Sequence, residues 1–476
     1  MIYVFVTWLL LATVLAVGLL SPGSGAAAGW GVAPLSMIFV IVVAFAGCRA
    51  KPDGDGAAAS ESLPALQEWG AGAAGASGGA PLITTPTAPP HRLVMFDNAR
   101  VALIMLVVIG HSGTGFMGSG AFLGFRSVGP SWYEPVGLSA LALLKPLVVP
   151  LFFLISGYLS AAGRARKGAR RFLRASFWRL GPPYFLWWLA INPLNSLFAH
   201  VLTRPARPWI YFPGSAATWF LNWLLVFQSC LALLDELPVV ALPRWSTLAL
   251  TALGVAAMQM VASLVCAIAG STLGLGEMPM TSAGDGFVNA LGFAAGALAY
   301  TSGWVDVSQP LPARLLRPSR WYVLVASGLV LLFAFLTVAP GAPGAKLVGS
   351  PSWAVGWYAL QLLLGPYSVC VWLLALDFFQ RHCNVETCFT RFLATGAFAV
   401  FLLHYWAVTG CTYLFVLYLD SVQGASIQFN NSTQSDTDIG AGNQFLGFFM
   451  VATSSIAVSF LVGGTLKRLP LVRRFI

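Results

Sequence analysis

Charge is scarce in this sequence: Lys, Arg, Asp and Glu make up 9% of its 476 residues, and acidic side chains are the rarer kind, 16 against 26 basic ones. Ordinary soluble domains carry about 25% charged residues, so a water-borne globule is excluded. A long polar insert is also missing after residue 92, which leaves 92–476 as one uninterrupted working unit. No apolar stretch alternates with the period of two that barrel strands require, and this excludes a membrane β-barrel. A cysteine framework is lacking too. Cys48, Cys230, Cys266, Cys370, Cys383, Cys388 and Cys411 lie mostly within or just inside apolar stretches, without the spacing of a secreted disulfide scaffold. HCNVETC at 382–388 offers three ligand-type side chains but no second cluster, so no metal site is expected.

What fills the sequence instead is hydrocarbon. Hydrophobic residues make up 58% of it, with 33 Phe and 17 Trp, more apolar surface than one soluble core can hide. Stretches of roughly 18–25 apolar residues recur along the chain, each long enough to cross ~30 Å of hydrocarbon as a helix. The expected fold is an all-α, polytopic transmembrane helix bundle. Its spans are read at about 1–20, 30–48, 98–118, 138–160, 180–203, 216–234, 246–270, 285–303, 321–339, 357–380, 393–418 and 445–466. Residues 1–48 then form two N-terminal apolar helices, either accessory spans or a signal segment with an anchor. The first lacks the basic n-region of a cleaved signal. Residues 49–91, mostly Ala, Gly, Pro and Ser, read as a flexible linker. The GAGAAG within it, at 70–75, has no strand before it or helix pattern after it, and is read as a chance match to a dinucleotide loop. About ten spans remain for 92–476.

Basic residues divide unequally between the two sides of this bundle. With both termini cytoplasmic, all but Arg126, Lys145, Arg204, Arg207 and Lys346 fall on the inner side, as the positive-inside rule requires. Lys145, beside Pro146 near the outer face, reads as a snorkelling side chain. In the outer loop 419–444, Asn430 and Asn431 each begin an N-x-S/T acceptor, which would suit a eukaryotic secretory or plasma membrane. The net charge of +10 is concentrated in short loops beside spans, where it sets orientation and meets anionic lipid headgroups. Nucleic acid is therefore not expected as a partner.

FDNARVALIMLVVIGHS, residues 96–112, keeps an arginine at the mouth of an apolar run and a histidine deep inside it. Eleven helical residues turn the chain by three turns plus ~20° and advance it ~16 Å, so Arg100 and His111 share one face. Asp97 is placed to cap the start of the helix and to meet its positive end. An intramembrane histidine points into the bundle or a wet cavity; it is either a packing hydrogen bond or a site. A cation at the doorway with an imidazole further in suits an elongated ligand with an anionic head and a thin reactive arm, the shape of a coenzyme A thioester. Downstream, Arg164, Arg166, Lys167, Arg170, Arg171, Arg174 and Arg179 crowd one short segment, either as a topology anchor on anionic lipid or as a phosphate-binding group. Ser156, Gly157 and Tyr158 read either as tunnel lining or as small-residue helix packing. His404 and Tyr405 lie deep in a later span, with the same two readings.

These residues carry a resemblance. RLVMFDNARVALIMLVVIGHS (92–112), PLFFLISGYLS (150–160), the basic segment at 166–194, ATWFLNWLLVFQ (217–228), GFAAGALAYTSGW (292–304) and AVFLLHYWAV (399–408) follow in the order of the acyltransferase 3 family of membrane enzymes. The resemblance covers most of 92–476. It implies O-acyl transfer, of the acetyl or succinyl class, from cytosolic acyl-CoA to a hydroxyl of a carbohydrate or glycolipid. It also implies His111 as the catalytic residue, with Arg100, Arg171, Arg174 and Arg179 holding the donor's phosphates. The family's R-x-x-R pair is broken here, because the partner position of Arg179 is Ser176; Arg171 and Arg174 keep that spacing upstream. Acyl-CoA is the one small molecule implied, as donor substrate, and no tightly bound cofactor is expected. The alternatives are a multi-span transporter or flippase, in which the buried histidines would relay protons, and a non-catalytic membrane relative of the family.

Overall fold

A computed structural model of the chain describes residues 93–117, 124–127, 133–203, 218–273, 286–305, 309–338, 351–423, 436–439 and 441–466. The two expected N-terminal helices, the linker, Asn430 and Asn431 lie outside these residues. The described elements are α1 (Val94–Gly115), β1 (Gly124–Ser127), α2 (Tyr133–Lys167), α3 (Ala169–Leu186), a π-helical turn (Trp187–Ile191), α4 (Asn192–Thr203), α5 (Trp219–Leu233), α6 (Trp245–Leu273), α7 (Gly286–Thr301), α8 (Ala313–Val338), α9 (Pro351–His382), α10 (Cys388–Gln423), β2 (Asp436–Ile439) and α11 (Ala441–Leu466).

Each of the ten apolar stretches expected between 98 and 466 is helical. Among the described residues, α1, α2, α8, α9, α10 and α11 are long and apolar enough to cross a membrane, and the chain is a multi-pass membrane protein. Helices α5 and α7, with 15 and 16 residues, reach only about 23–24 Å along their axes, less than the ~30 Å hydrocarbon core. The stretch expected as one helix over 180–203 is divided, α3 passing through the π-helical turn into α4. The two short strands pair in parallel, Gly124 with Asp436 through Ser127 with Ile439, at the end of the bundle where α1 finishes and α2 and α11 begin.

Helix α2 is the central post, packed against α1, α7, α8 and α9. Its 35 residues extend about 50 Å, so its last turn, with Arg164, Arg166 and Lys167, projects beyond a hydrocarbon layer. Proline at 150 removes the N–H that would bond the carbonyl of Pro146. In a membrane that carbonyl has no water to turn to. The indole Nε1 of Trp372 on α9 donates to it at 2.9 Å, which explains how α2 carries Pro150 inside its apolar run.

Glycines bring α7 against α2 backbone to backbone. A Cβ at Gly292 would lie 2.5 Å from the carbonyl oxygen of Pro150, and Cβ atoms at Gly157 and Gly296 would collide with the carbonyls of Phe293 and Leu154. Gly292 and Gly296 are four apart on one helical face, the small-xxx-small spacing that lets helices approach closely in lipid.

The end of α1 opposite the basic residues is also tied down. Its last carbonyls lack intrahelical donors. The Tyr133 hydroxyl donates to Gly113 O at 3.1 Å, and Gln444 Nε2 on α11 donates to Phe116 O at 3.0 Å. Phe116, Tyr133, Phe415, Val416, Leu419 and Val451 pack around these bonds.

Gly296→Leu forces α2 and α7 apart and is expected to lower stability by about 1–3 kcal/mol or more. Gly328→Ala, at a helical glycine whose added Cβ meets nothing within 4 Å, is expected to leave it unchanged or slightly raised. Thermal unfolding of the two purified variants in one detergent compares them.

Candidate functional site

The basic residues gather at one end of the bundle because the helix termini there coincide: the start of α1, the end of α2, the start of α3 and the end of α5. Gly168, at φ +74°, makes the turn from α2 into α3, a left-handed conformation that side chains disfavour. Its N–H closes the end of α2 on Arg164 O at 2.9 Å. The Arg164 guanidinium donates to the carbonyls of Leu234 and, at 2.8 Å, Asp235, tying the ends of α2 and α5 together. Arg164 is therefore engaged in holding the frame.

Helix α3 is two-sided. Phe172, Leu173, Ser176, Leu180 and Tyr184 are buried along one face, while Arg170, Arg171 and Arg174 are exposed on the other. Under it lies a cavity of about 320 Å³, walled by α1, α2, α3 and α5, and four cations line it: Arg100, Arg166, Lys167 and Arg179. Arg100 and Arg179 lie near enough to repel each other. Asp97, 3.6 Å from the Arg100 guanidinium, offsets part of that repulsion. Among the described lining residues four are cationic and none is acidic, an arrangement that favours a negatively charged ligand.

The sequence-predicted residues divide around this cavity. Arg100, Arg179 and Ser156 line it; Arg171 and Arg174 do not. Ser176, where the family's pair has its second arginine, also lines the cavity. Gly157 is spent on the contact with α7. Tyr158 packs edge-on against Phe96 and Tyr300, with ring centroids 5.1 and 5.4 Å away. Asp97 is not the N-cap. Helix α1 begins at Val94, with Leu93 at the cap position and no side-chain cap hydrogen bond, so Asp97 sits in the first turn; there it still meets the positive helix end.

Deeper on α1, His111 stands against two rings of α10. Its centroid is 5.2 Å from that of His404 and 4.7 Å from that of Tyr405, and the latter two are 4.9 Å apart. Trp187 of the π-helical turn approaches Tyr405 at 6.2 Å. His404 is fully buried, with Nδ1 2.7 Å from Phe401 O. A carbonyl only accepts, so Nδ1 carries the proton and Nε2 holds a free lone pair, which has no hydrogen-bond partner among the described residues.

The cavity stops short of this ring group. Ser156 and Leu224 are its deepest lining residues on α2 and α5. One helical turn further in lie Phe152 and Phe220, whose centroids are 5.7 Å apart, and Phe220 is 5.7 Å from Phe401. Phe401 lies 6.1 Å from His404. Phe152, Phe220 and Phe401 thus form a layer of phenyl rings in contact from the floor of the cavity on α2 and α5 to His404.

Among the lining residues the sequence did not single out are two polar ones, Gln228 on α5 and Ser160 on α2, joined by a hydrogen bond from Gln228 Nε2 to Ser160 Oγ at 2.9 Å. The one available signal was a carboxamide within the apolar run LNWLLVFQS.

An acyltransferase-domain family model, that of acyltransferase 3, matches residues 94–464, and the chain belongs to that family. No curated protein and no solved structure matches it.

The geometry ranks the arginines by what they face. Arg179→Gln or Arg166→Gln should weaken binding of inorganic pyrophosphate about tenfold or more, since a hydrogen bond to a charged group is worth ~1.5–3 kcal/mol. Arg171→Gln and Arg174→Gln should change it little. Titration of the purified chain at fixed salt measures both.

Proposed function

We propose that this member of a membrane acyltransferase family takes an acyl group, of the acetyl or succinyl class, from a coenzyme A thioester entering at the basic face. It passes that group to a hydroxyl of a carbohydrate or glycolipid approaching from the opposite side. The observation that carries the proposal is the cation-lined cavity at the mouth of α1, with His111 three helical turns deeper on the same helix, beside His404 and Tyr405. In this reading the basic face is cytoplasmic, as are both termini.

Arg100, Arg166, Lys167 and Arg179 hold the nucleotide phosphates; Arg171 and Arg174, on the exposed face of α3, meet lipid headgroups or solvent. The pantetheine arm points inward toward the phenyl layer. His111 accepts the proton of the acceptor hydroxyl as its oxygen attacks the thioester carbonyl carbon. The carbon–sulfur bond breaks, and the proton on the imidazole goes to the departing thiolate, giving the ester and free coenzyme A. In the double-displacement variant, the His111 nitrogen attacks the thioester carbon and the carbon–sulfur bond breaks, the thiolate leaving as free coenzyme A with the imidazole proton; the acceptor hydroxyl then takes the acyl group from the imidazole and returns its own proton to it. Either route needs Phe152, Phe220 and Phe401 to part when the arm enters. Between turnovers, those closed rings keep water from the imidazoles.

His111→Ala should reduce transfer at least 100-fold, the low end of what a positioned general base contributes, while leaving coenzyme A affinity at the arginines unchanged. Single-turnover acyl transfer and equilibrium binding on the same preparation test both halves. Solute flux across vesicles that survives without thioester consumption would favour a transporter instead. Phe220→Leu thins the phenyl layer, and the expected result is more acceptor-independent thioester hydrolysis relative to transfer.

A further inference from the structure

The walls of the cavity change character with depth. Arginine and lysine stand at the mouth, phenyl rings beyond the floor, and between them lies a carboxamide. Gln228 is 1% exposed and lines the cavity. It lies five residues inside the basic end of α5, about 8 Å along the helix. Its Nε2 is committed to Ser160 Oγ at 2.9 Å, which fixes the plane of the amide. Its Oε1 is buried and has no hydrogen-bond partner among the described residues. A buried carbonyl oxygen without a donor is uncommon and unfavourable in a finished interior, and more so in a bundle surrounded by hydrocarbon.

A ligand running from the cations to the phenyl layer passes Gln228 midway, and complements its unpartnered oxygen by presenting a hydrogen-bond donor, N–H or O–H, there. This separates classes of donor. A lipid-linked phosphate has an anionic head but a tail without donors, and a small acyl phosphate ends before this depth. A pantetheine arm carries secondary amides between its diphosphate and its sulfur.

Building on the coenzyme A reading above, we propose that Gln228, fixed by Ser160, is the donor-specificity residue: its Oε1 accepts the N–H of one pantetheine amide while the phosphates rest among Arg100, Arg166, Lys167 and Arg179. The contact sets the register of the arm and so the depth its thioester reaches when the phenyl layer opens.

The test uses the purified full-length chain in lipid nanodiscs and three probes: coenzyme A and two analogues, each with one pantetheine amide replaced by an ester. Wild type is expected to bind one analogue about 3- to 12-fold more weakly than coenzyme A, the range for one net neutral hydrogen bond, and the other nearly as well. Gln228→Leu, close in shape, is expected to lose a similar factor for coenzyme A and to stop distinguishing the sensitive analogue from it. Ser160→Ala leaves the carboxamide in place but unanchored, and should show a smaller loss with the same dependence on that amide. The assignment is overturned if Gln228→Leu binds coenzyme A as tightly as wild type, or loses the same factor for all three probes. Wild-type protein that binds no coenzyme A overturns the functional reading, and this assignment with it. Should Gln228→Leu fail to fold, the Ser160→Ala series decides: no loss there, or a loss equal for all three probes, overturns the assignment.

Discussion

The contact between α2 and α7, made where neither helix has a side chain, sets the geometry of the whole basic end. Gly157, Gly292 and Gly296 place backbone against backbone, and in lipid this close approach replaces the hydrophobic drive that holds soluble helices together. Helix α2 carries Ser156, Ser160, Arg166 and Lys167 to the cavity, so a shift of α2 by one methyl group would carry half the site with it. The bond from Trp372 to Pro146 serves the same end from the α9 side. It lets α2 remain one continuous helix through a proline, so residues at its two ends keep a fixed phase.

On this frame polarity is sorted by depth. The four cations of the cavity stand at the end where α1 begins and α2 finishes. The imidazoles and phenols lie further in, where an ion is costly but a neutral ring is not. The phenyl layer is the boundary. On one side of it lies the cation-lined cavity and on the other the buried ring of His404. Tyr133 and Gln444 close the far end of α1 by satisfying its last carbonyls, so the helix bearing both Arg100 and His111 is anchored at each extremity.

Features that depend on the helical period were legible in the sequence. Each apolar stretch expected from 98 to 466 is helical, and the eleven-residue spacing placed Arg100 at the cavity and His111 deep on the same helix. What escaped depends on neighbours in space. Asp97 has the chemistry of an N-cap, but Leu93 starts the helix because apolar packing of Met95 and Phe96, both buried, extends the helix backwards. The break of 180–203 into two helices around a π-turn leaves no trace in hydropathy. The Gln228–Ser160 bond joins residues 68 positions apart, and only the packing of α5 against α2 reveals it. The facing of Arg171 and Arg174 was in principle legible, since Phe172, Leu173, Ser176 and Leu180 mark the buried stripe of α3 and place those two arginines off it.

That stripe also sets which residue at 176 suits the cavity. Ser176 points into the cavity and is 3% exposed. An arginine there would place a third guanidinium beside Arg100 and Arg179, which already repel each other, in a partly desolvated space where such repulsion is strong. The cavity's other two cations come from the end of α2. Arg166 and Lys167 reach the cavity from a turn that projects beyond hydrocarbon, and there they are better hydrated than a residue on the buried face of α3. The serine keeps open the part of the cavity bordered by Ser160 and Gln228, where the bulk of an arginine would intrude.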